Sequence, residues 1–246
     1  MIGLSSGVTR SGYATDIDLK DATDSSAAIN LVLWLKNGVG LESNASKWAD
    51  SSGLGNDASQ GAEINRATVS GGGLDFEEGD SAHYDLDSAI TISENAGFCV
   101  AVVIDQETVS NNTILSKDAD DQLQVVDNGR FRFKSNTSLT RTTNFDVNGT
   151  PFETGKMLLL LNRSAGVLNR FTMFKNGTQL TFNTDTSTSE AEGENPFGFD
   201  INVLGAKAGS SQYFDGKIYE LAFWGRGLTS QEITDVNEYL KEIHEL

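Results

Sequence analysis

Oxygen-bearing side chains are concentrated in one glycine- and serine-rich stretch near the front of the chain. Asp50, Asn56 and Asp57 lie within WADSSGLGNDASQ, residues 48–60. Calcium prefers several oxygen ligands, which carboxylates, side-chain amides and loop carbonyls can supply. The same side chains also hydrogen bond to nearby backbone N–H groups and so shape tight turns. The stretch therefore predicts either a calcium site at these three residues or a turn that their side chains hold.

Two aromatic residues lie in loop-like sequence, where a ring beside polar groups could form a platform for a sugar. Trp48 begins the glycine-rich stretch, and Tyr213 lies in AKAGSSQYFDG, residues 206–216. Trp34 and Trp224 fall in strongly apolar segments, which is typical of core residues. We therefore predict that carbohydrate binding would use Trp48 and Tyr213, whereas the other two tryptophans belong to the core.

Patterns that would carry catalysis are missing or interrupted. Glycoside hydrolysis uses two carboxylates, and alternate positions on one strand would direct both into one cleft. The nearest run, Asp75, Glu77 and Asp80, is broken by a glycine and predicts an acidic turn. His83 has no nucleophile motif to serve, and His244 is placed in the fraying C-terminus. Zinc and phosphate-loop motifs do not occur, so the sequence favours a protein that is not an enzyme.

Composition restricts the partners. The chain has 246 residues, of which 38% are hydrophobic and 9% aromatic, so it can bury a substantial core. Its formal net charge of −17 argues against nucleic acid or an anionic membrane as partner. No apolar stretch is long enough to span a membrane, and the start does not have the pattern of a signal peptide. Cys99 is the single cysteine, which excludes an intrachain disulfide.

Short apolar or alternating segments, separated by glycine, asparagine and aspartate, follow one another along the chain. A hairpin is predicted over 123–133, because Asn128-Gly129 favours a two-residue turn. Thr229 and Glu232 form a capping-box pattern before apolar residues at helical spacing. Residues 1–28 are small, polar and acidic and are predicted to be an anchoring arm. Residues 29–246 are predicted to be an all-β, antiparallel two-sheet β-sandwich with one C-terminal α-helix.

Two runs of residues resemble the concanavalin A-like lectin/glucanase superfamily in its laminin-G-like form. The first joins LVLWL at 31–35 to the glycine-rich stretch at 48–60. The second, FDGKIYELAFWGRGLTSQEITDVNEYL at 214–240, is similar to the last strand and helix of that family. The resemblance implies a jelly-roll sandwich. It also implies calcium at the loop of Asp50, Asn56 and Asp57, because laminin-G-like domains often bind calcium in this way.

An acidic, cysteine-poor domain of this type resembles proteins of tailed-phage virions. That resemblance implies a non-enzymatic structural or binding protein of a capsid, tail or fibre. Residues 1–28 would anchor it to other virion proteins in an oligomeric assembly, and the sandwich would adsorb to host-surface glycans. Two alternatives remain open: an extracellular carbohydrate-binding module of a bacterial protein, and a glycoside hydrolase with diverged carboxylates.

Overall fold

The computed structural model describes Leu19 and residues 30–117, 121–136, 140–166, 171–184 and 198–246. Within these residues the chain forms two antiparallel β-sheets and a C-terminal helix, Ser230–His244, so the predicted two-sheet sandwich is confirmed. Its strands are β1 (Leu31–Leu35), β2 (Lys47–Trp48), β3 (Ala58–Ser59), β4 (Thr68–Ser70), β5 (Gly73–Phe76), β6 (Tyr84–Ile92), β7 (Phe98–Gln106), β8 (Asn112–Ser116), β9 (Gln122–Asp127), β10 (Arg130–Asn136), β11 (Thr140–Val147), β12 (Gly155–Arg163), β13 (Phe171–Lys175), β14 (Thr178–Gln179), β15 (Phe182–Thr184), β16 (Phe199–Leu204) and β17 (Gly216–Trp224).

The two sheets are built from strands far apart in the chain. The first sheet has the order β14-β13-β12-β7-β17-β5-β4, and β1 also pairs with β17. The second sheet has the order β15-β11-β10-β9-β8-β16-β6-β3-β2. The predicted hairpin forms as β9 and β10, in which Arg132 pairs with Gln124. Antiparallel order lets one face of each sheet pack on the core while the other is covered or solvated.

The main core lies between the two sheets and is rich in aromatic rings. Phe98 is fully buried, and its ring lies 5.4 Å from that of Phe133, 4.9 Å from that of Phe199 and 5.7 Å from that of Phe223. Aromatic pairs at these centroid distances add to the stabilisation that burial provides. Because Phe133 and Phe199 come from the second sheet and Phe223 from the first, this cluster holds the sheets face to face.

A second apolar cluster lies on the opposite face of the first sheet, beneath the C-terminal helix. Ile233 and Val236 of the helix pack there with Trp34 and Trp224, which are buried as predicted. Leu19, from the predicted arm, is fully buried in the same cluster. At this point the arm contacts its own domain, and the rest of the segment 1–28 lies outside the described residues.

Strand β11 was not expected from the sequence. Its segment, TRTTNFDV, has few large apolar residues and so does not show the hydrophobic pattern of a buried strand. The backbone nevertheless pairs with β10 over seven residues, from Asp146 opposite Arg130 to Thr140 opposite Asn136. Its β-branched threonines were the local signal. Neighbouring strands, rather than local hydrophobicity, therefore decide its structure.

Candidate functional site

Asp50 lies at the centre of the glycine-rich turn and accepts four hydrogen bonds. Its Oδ1 accepts from the backbone N–H groups of Trp34, at 2.9 Å, and Ser52, at 2.8 Å. Its Oδ2 accepts from the Ser52 hydroxyl at 2.6 Å and from the Asn56 N–H at 3.0 Å. This carboxylate therefore ties the loop to strand β1.

Asp57 and Asn56 continue the same network. Oδ1 of Asp57 accepts from the Asp50 N–H at 2.7 Å, and Oδ2 forms an ion pair with Lys47. Nδ2 of Asn56 donates to the Val32 carbonyl at 2.7 Å. Partial burial opposes ionisation of Asp57, but the hydrogen bonds from Lys47 and the Asp50 N–H outweigh it and hold the pKa of Asp57 below its usual value.

All four carboxylate oxygens of Asp50 and Asp57 thus face hydrogen-bond donors of the protein. A calcium ion would need these oxygens as ligands and would have to displace the donors that hold the turn. As folded, these oxygens serve the turn. Across the described ranges, no cluster of three or more acidic, histidine or cysteine side chains could hold a metal ion. Calcium at Asp50, Asn56 and Asp57 stays a prediction.

The two predicted sugar platforms differ in exposure. Trp48 is 0% exposed, and its Nε1 donates to the Lys36 carbonyl at 3.1 Å. Its ring belongs to the core between the sheets, so an exposed platform at Trp48 is excluded in this conformation. Tyr213 is half-buried, and its ring lies 6.2 Å from the imidazole of His83. Tyr213 stays a candidate.

A line of polar side chains crosses four neighbouring strands of the second sheet, on the side away from the core between the sheets. Most of this line is buried: Thr113 and Gln124 are 0% exposed and Asn144 is 8% exposed, while Arg132 is half-buried. It consists of Thr113 on β8, Gln124 on β9, Arg132 on β10 and Asn144 on β11, which pair in register. Their chain neighbours, such as Phe131, point into the core, and side chains alternate along a strand. We call these four residues the polar row.

Hydrogen bonds run continuously along the polar row. Nε of Arg132 donates to Oδ1 of Asn144 at 2.9 Å, and Nη1 donates to Oε1 of Gln124 at 3.3 Å. Nε2 of Gln124 contacts Thr113 Oγ1 at 3.4 Å and donates to Oε1 of Gln212 at 3.2 Å. These bonds fix planar groups that carry both donors and acceptors.

The loop between β16 and β17 borders the polar row. The Thr113 N–H donates to the Gln212 carbonyl at 3.4 Å. The Ser116 hydroxyl donates to the Ala206 carbonyl at 2.6 Å, so the loop lies against the outer face of β8. Tyr213 follows Gln212 directly in the chain. The ring of Tyr213 lies beside His83, so Gln212 is the residue of this loop that contacts the polar row.

Gln122 adds a buried acceptor to the same face. It lies two residues before Gln124 on β9, opposite Lys134 of β10, and is 1% exposed. Its Oε1 has no hydrogen-bond donor among the residues that the structure describes. A buried acceptor left unpaired costs about 1–3 kcal/mol, which a hydroxyl donor would recover.

Sequence reasoning did not identify the polar row. The alternation of Arg and Phe over 130–133 did predict one buried and one wet face for this strand. The run QLQ at 122–124 shows the same alternation, but the pairing of β10 with β11 was not predicted from the sequence. Without register, residues from four strands could not be assigned to one line.

A cluster of carboxylates surrounds Lys217 at the end of β5. Lys217 lies 3.3 Å from Asp75 and 3.9 Å from Glu107. Glu77 is exposed overall, but some loss of water around its carboxyl, together with the charges of Glu107 and Asp75, raises its pKa. The acidic turn predicted after Phe76 forms as a short 3₁₀ turn at Glu78–Asp80.

The apolar cavity found among the described core residues is very small. A cavity of about 10 Å³ lies in the core, lined by apolar side chains such as Val100, Ile114 and Met173. That volume suits at most about one water molecule. A shallow depression of about 550 Å³ opens at the β9–β10 turn, beside Asp127 and Glu153. This core cavity is therefore too small to hold a ligand larger than water.

The family is shown by comparison with known proteins. A laminin-G-type model, described as the concanavalin A-like lectin/glucanases superfamily, matches residues 78–234, which is more than half of the chain. The chain belongs to this superfamily. A search of curated proteins finds no significant match. Within the described residues, no helix is long and apolar enough to cross a membrane.

Solved structures share the fold at low identity. A Trypanosoma rangeli sialidase in complex with sialic acid matches 87% of this chain with a TM-score of 0.54 and 15% identity. The match covers 33% of the sialidase, so the present chain spans about a third of its length. The binding domain of Paraclostridial Mosquitocidal Protein 1 matches 87% of this chain, and 53% of its own, with a TM-score of 0.53 and 12% identity. These similarities concern the fold alone.

Proposed function

We propose that this protein is a non-catalytic glycan-binding domain and that the polar row is its binding surface. The observation that carries the proposal is the continuous line of fixed amide and guanidinium groups on the outer face of the second sheet. Sugar hydroxyls both donate and accept hydrogen bonds, and planar groups with fixed orientation match them without losing further conformational freedom.

Two further features support binding at this surface. Oε1 of Gln122 has no donor among the described residues and is buried, so a hydroxyl would reach it only if the side chain moves. Tyr213 has a half-buried ring and follows Gln212, whose side chain contacts Gln124 of the polar row. A small number of placed polar groups beside an aromatic ring is typical of ligand sites that select by orientation.

Replacing Asn144 tests the surface. A glycan array first identifies oligosaccharides that bind the wild-type protein, and calorimetry then compares Asn144→Ala. We expect affinity to fall about tenfold, because a hydrogen bond to the ligand and the support of Arg132 are lost. Gln231→Ala is the control, since Gln231 is exposed on the C-terminal helix over the opposite sheet. Equal affinity of the wild type, Asn144→Ala and Gln231→Ala would show that the site lies elsewhere. If the array shows no glycan bound to the wild-type protein, the proposed function is excluded.

Tyr213 is tested separately, because its ring and its hydroxyl can contribute in different ways. If the ring stacks on a sugar, Tyr213→Phe keeps most of the affinity and Tyr213→Ala loses it. Loss in both variants would assign the contribution to the hydroxyl. No loss in either would remove Tyr213 from the site and leave the polar row as the surface.

A glycoside hydrolase is the second candidate, and the raised pKa of Glu77 favours it. A carboxyl whose pKa is raised by loss of water and by neighbouring carboxylates is a candidate general acid. The decisive measurement is release of reducing sugar from β-glucan by the pure protein and by Glu77→Gln. Turnover that the substitution abolishes would establish an enzyme, whereas equal traces of activity in both proteins would indicate a contaminant.

The virion setting belongs to the proposal as its biological context. Residues 1–28 would anchor the domain to other virion proteins, and the polar row would face host glycans. The test compares the oligomeric state, and co-sedimentation with particles, of the full chain and of a variant lacking residues 1–16. This variant keeps Leu19, which is buried in the domain. Loss of assembly without loss of stability supports the anchor, and unchanged assembly contradicts it.

A further inference from the structure

Positive charge is concentrated on one strand of an otherwise acidic chain. Strand β10 carries Arg130, Arg132 and Lys134 at alternate positions, so all three lie on its outer face. The whole chain has a formal net charge of −17. At physiological ionic strength the field of distant charges is screened within about 8 Å, so the potential at Arg132 is set mainly by nearby charges such as Arg130 and Asp127.

Arg132 differs from its neighbour in how its charge is balanced. Nε of Arg130 lies 2.5 Å from Oδ1 of Asp146, which is an ion pair. Arg132 instead donates to two neutral side chains, Asn144 and Gln124. Within the described part of the chain, no carboxylate lies within ion-pair distance of Arg132. Its charge is therefore held in place but not neutralised.

The guanidinium of Arg132 also has donors to spare. A guanidinium carries five N–H groups in one plane. Two of them are used by Asn144 and Gln124, and Nη2 makes no hydrogen bond to a described residue. Partial burial, and then the charge of Arg130, lower the pKa of Arg132 from its usual value, yet an arginine remains charged at neutral pH. The unused N–H groups at the Nη end can receive both oxygens of one carboxylate.

We propose that the polar row binds a carboxylate-bearing sugar and that the Nη end of Arg132 binds its carboxylate bidentately. This inference rests on the proposed glycan-binding function and names its ligand class. Asn144 and Gln124 fix the orientation of the guanidinium, so its remaining conformational cost on binding is small. The other residues of the row are buried and act by holding Arg132 in place.

The test uses matched acidic and neutral sugars on the full chain. Oligosaccharides that end in glucuronate, galacturonate or sialic acid are compared with their methyl esters, which keep every hydroxyl and lose only the charge. Sulfated sugars form the third group. We expect at least one acid to bind about tenfold or more tightly than its ester, and more tightly than the sulfated sugars.

Variants of Arg132 separate charge from geometry. Arg132→Gln should abolish the preference for acid over ester, while Arg132→Lys, which keeps a charge but not the planar fork, should retain part of it. Arg66→Gln is the matched control, because Arg66 donates to the backbone carbonyls of Gln60 and Gly61 away from the polar row. Thermal unfolding of each variant checks that it is folded. The ¹⁵N signal of Arg132 Nε in the wild-type protein, followed during titration, gives a readout that needs no variant.

Each outcome decides something different. The inference is supported if the wild-type protein prefers the acid over the ester, Arg132→Gln loses this preference and Arg66→Gln keeps it. Equal binding of acids and esters overturns the inference and leaves the proposed function intact. Equal binding of sulfated and carboxylated sugars reduces the site to a general anion site and overturns the carboxylate assignment. Absence of binding to any sugar overturns the proposed function and the inference together.

Discussion

Glu220 on β17 is a buried carboxylate that accepts hydrogen bonds from two distant parts of the chain. It is 1% exposed, and its Oε1 accepts from Nε1 of Trp34 at 2.7 Å. Its Oε2 lies 2.8 Å from Nε2 of His244. The expectation that His244 lies in a fraying terminus was therefore wrong, because this contact and the packing of the C-terminal helix bury it. Glu220 joins the helix end to the first sheet.

Removing this carboxylate should destabilise the fold strongly. In Glu220→Ala, the buried N–H groups of Trp34 and His244 lose their acceptor, so we expect the free energy of unfolding to fall by about 3 kcal/mol or more. Urea denaturation measures it. Glu220→Gln, which keeps one oxygen, should lose less, and Glu238→Ala, on the exposed side of the helix, should stay within about 0.5 kcal/mol of the wild type. A loss below about 1 kcal/mol in Glu220→Ala would contradict this role.

At the scale of the element, the C-terminal helix begins at a network that the sequence predicted in part. The capping box forms as expected, with the Glu232 N–H donating to the Thr229 hydroxyl and the Thr229 N–H donating to Glu232. Arg226 adds a bidentate pair to Glu232, at 2.6 and 3.0 Å. The cap and the preceding turn therefore form one unit that orients the helix on the first sheet.

The network should make stability depend on pH in the acidic range. The hydrogen bond from Arg226 is the main cause that holds the pKa of Glu232 below its ordinary value of 4.5, against the effect of burial. A lowered folded-state pKa means that its stabilisation is complete above the ordinary value and is lost as pH falls through the folded-state pKa. We expect Glu232→Gln to cost about 1.5–3 kcal/mol at neutral pH.

Urea denaturation at several pH values tests this dependence. The difference in unfolding free energy between the wild type and Glu232→Gln should narrow as pH falls below 4.5 and through the lowered folded-state pKa, because the wild-type carboxyl is then protonated as well. Gln231→Glu serves as a control for adding a carboxyl to the exposed first turn of the helix. A difference that is the same from neutral to acidic pH would show that the charge of Glu232 does not contribute.

At the scale of the whole molecule, the glycine-rich loop is attached to the sandwich through hydrogen bonds rather than through an ion in the described arrangement. Asp50 reaches β1 through the Trp34 N–H, and Asn56 reaches the same strand through the Val32 carbonyl. The loop thus fixes the connection from the first sheet to the edge of the second. The stability of the sandwich should depend on these bonds.

Calcium provides the corresponding test. Because each carboxylate oxygen of Asp50 and Asp57 already accepts a donor, we expect about 5 mM calcium to change the thermal midpoint no more than the same concentration of magnesium does. Both ions screen the negative charge of the chain equally, so magnesium is the control. A rise with calcium alone, abolished by Asp50→Asn, would show that the loop rearranges around an ion.

Much of the fold could be predicted because local pattern and global fold agree in most strands. The alternation in β10, the Asn-Gly turn after β9 and the capping box at Thr229 each determine local structure from adjacent residues. Strand β11 could not be predicted in this way, since its pairing with β10 decides its structure. The exposure of Trp48 was mispredicted for the same reason. Its sequence neighbours are loop-like, yet its ring lies in the core between the sheets.

The sequence by itself determined the sandwich, its superfamily resemblance, the terminal helix and the acidity of the chain, because these depend on periodicity and composition within short segments. Only the tertiary structure decided the polar row, the burial of Trp48 and His244, and the saturation of Asp50 and Asp57. Each of these depends on register between strands or on contacts between residues far apart in the chain, and a linear pattern does not contain that information.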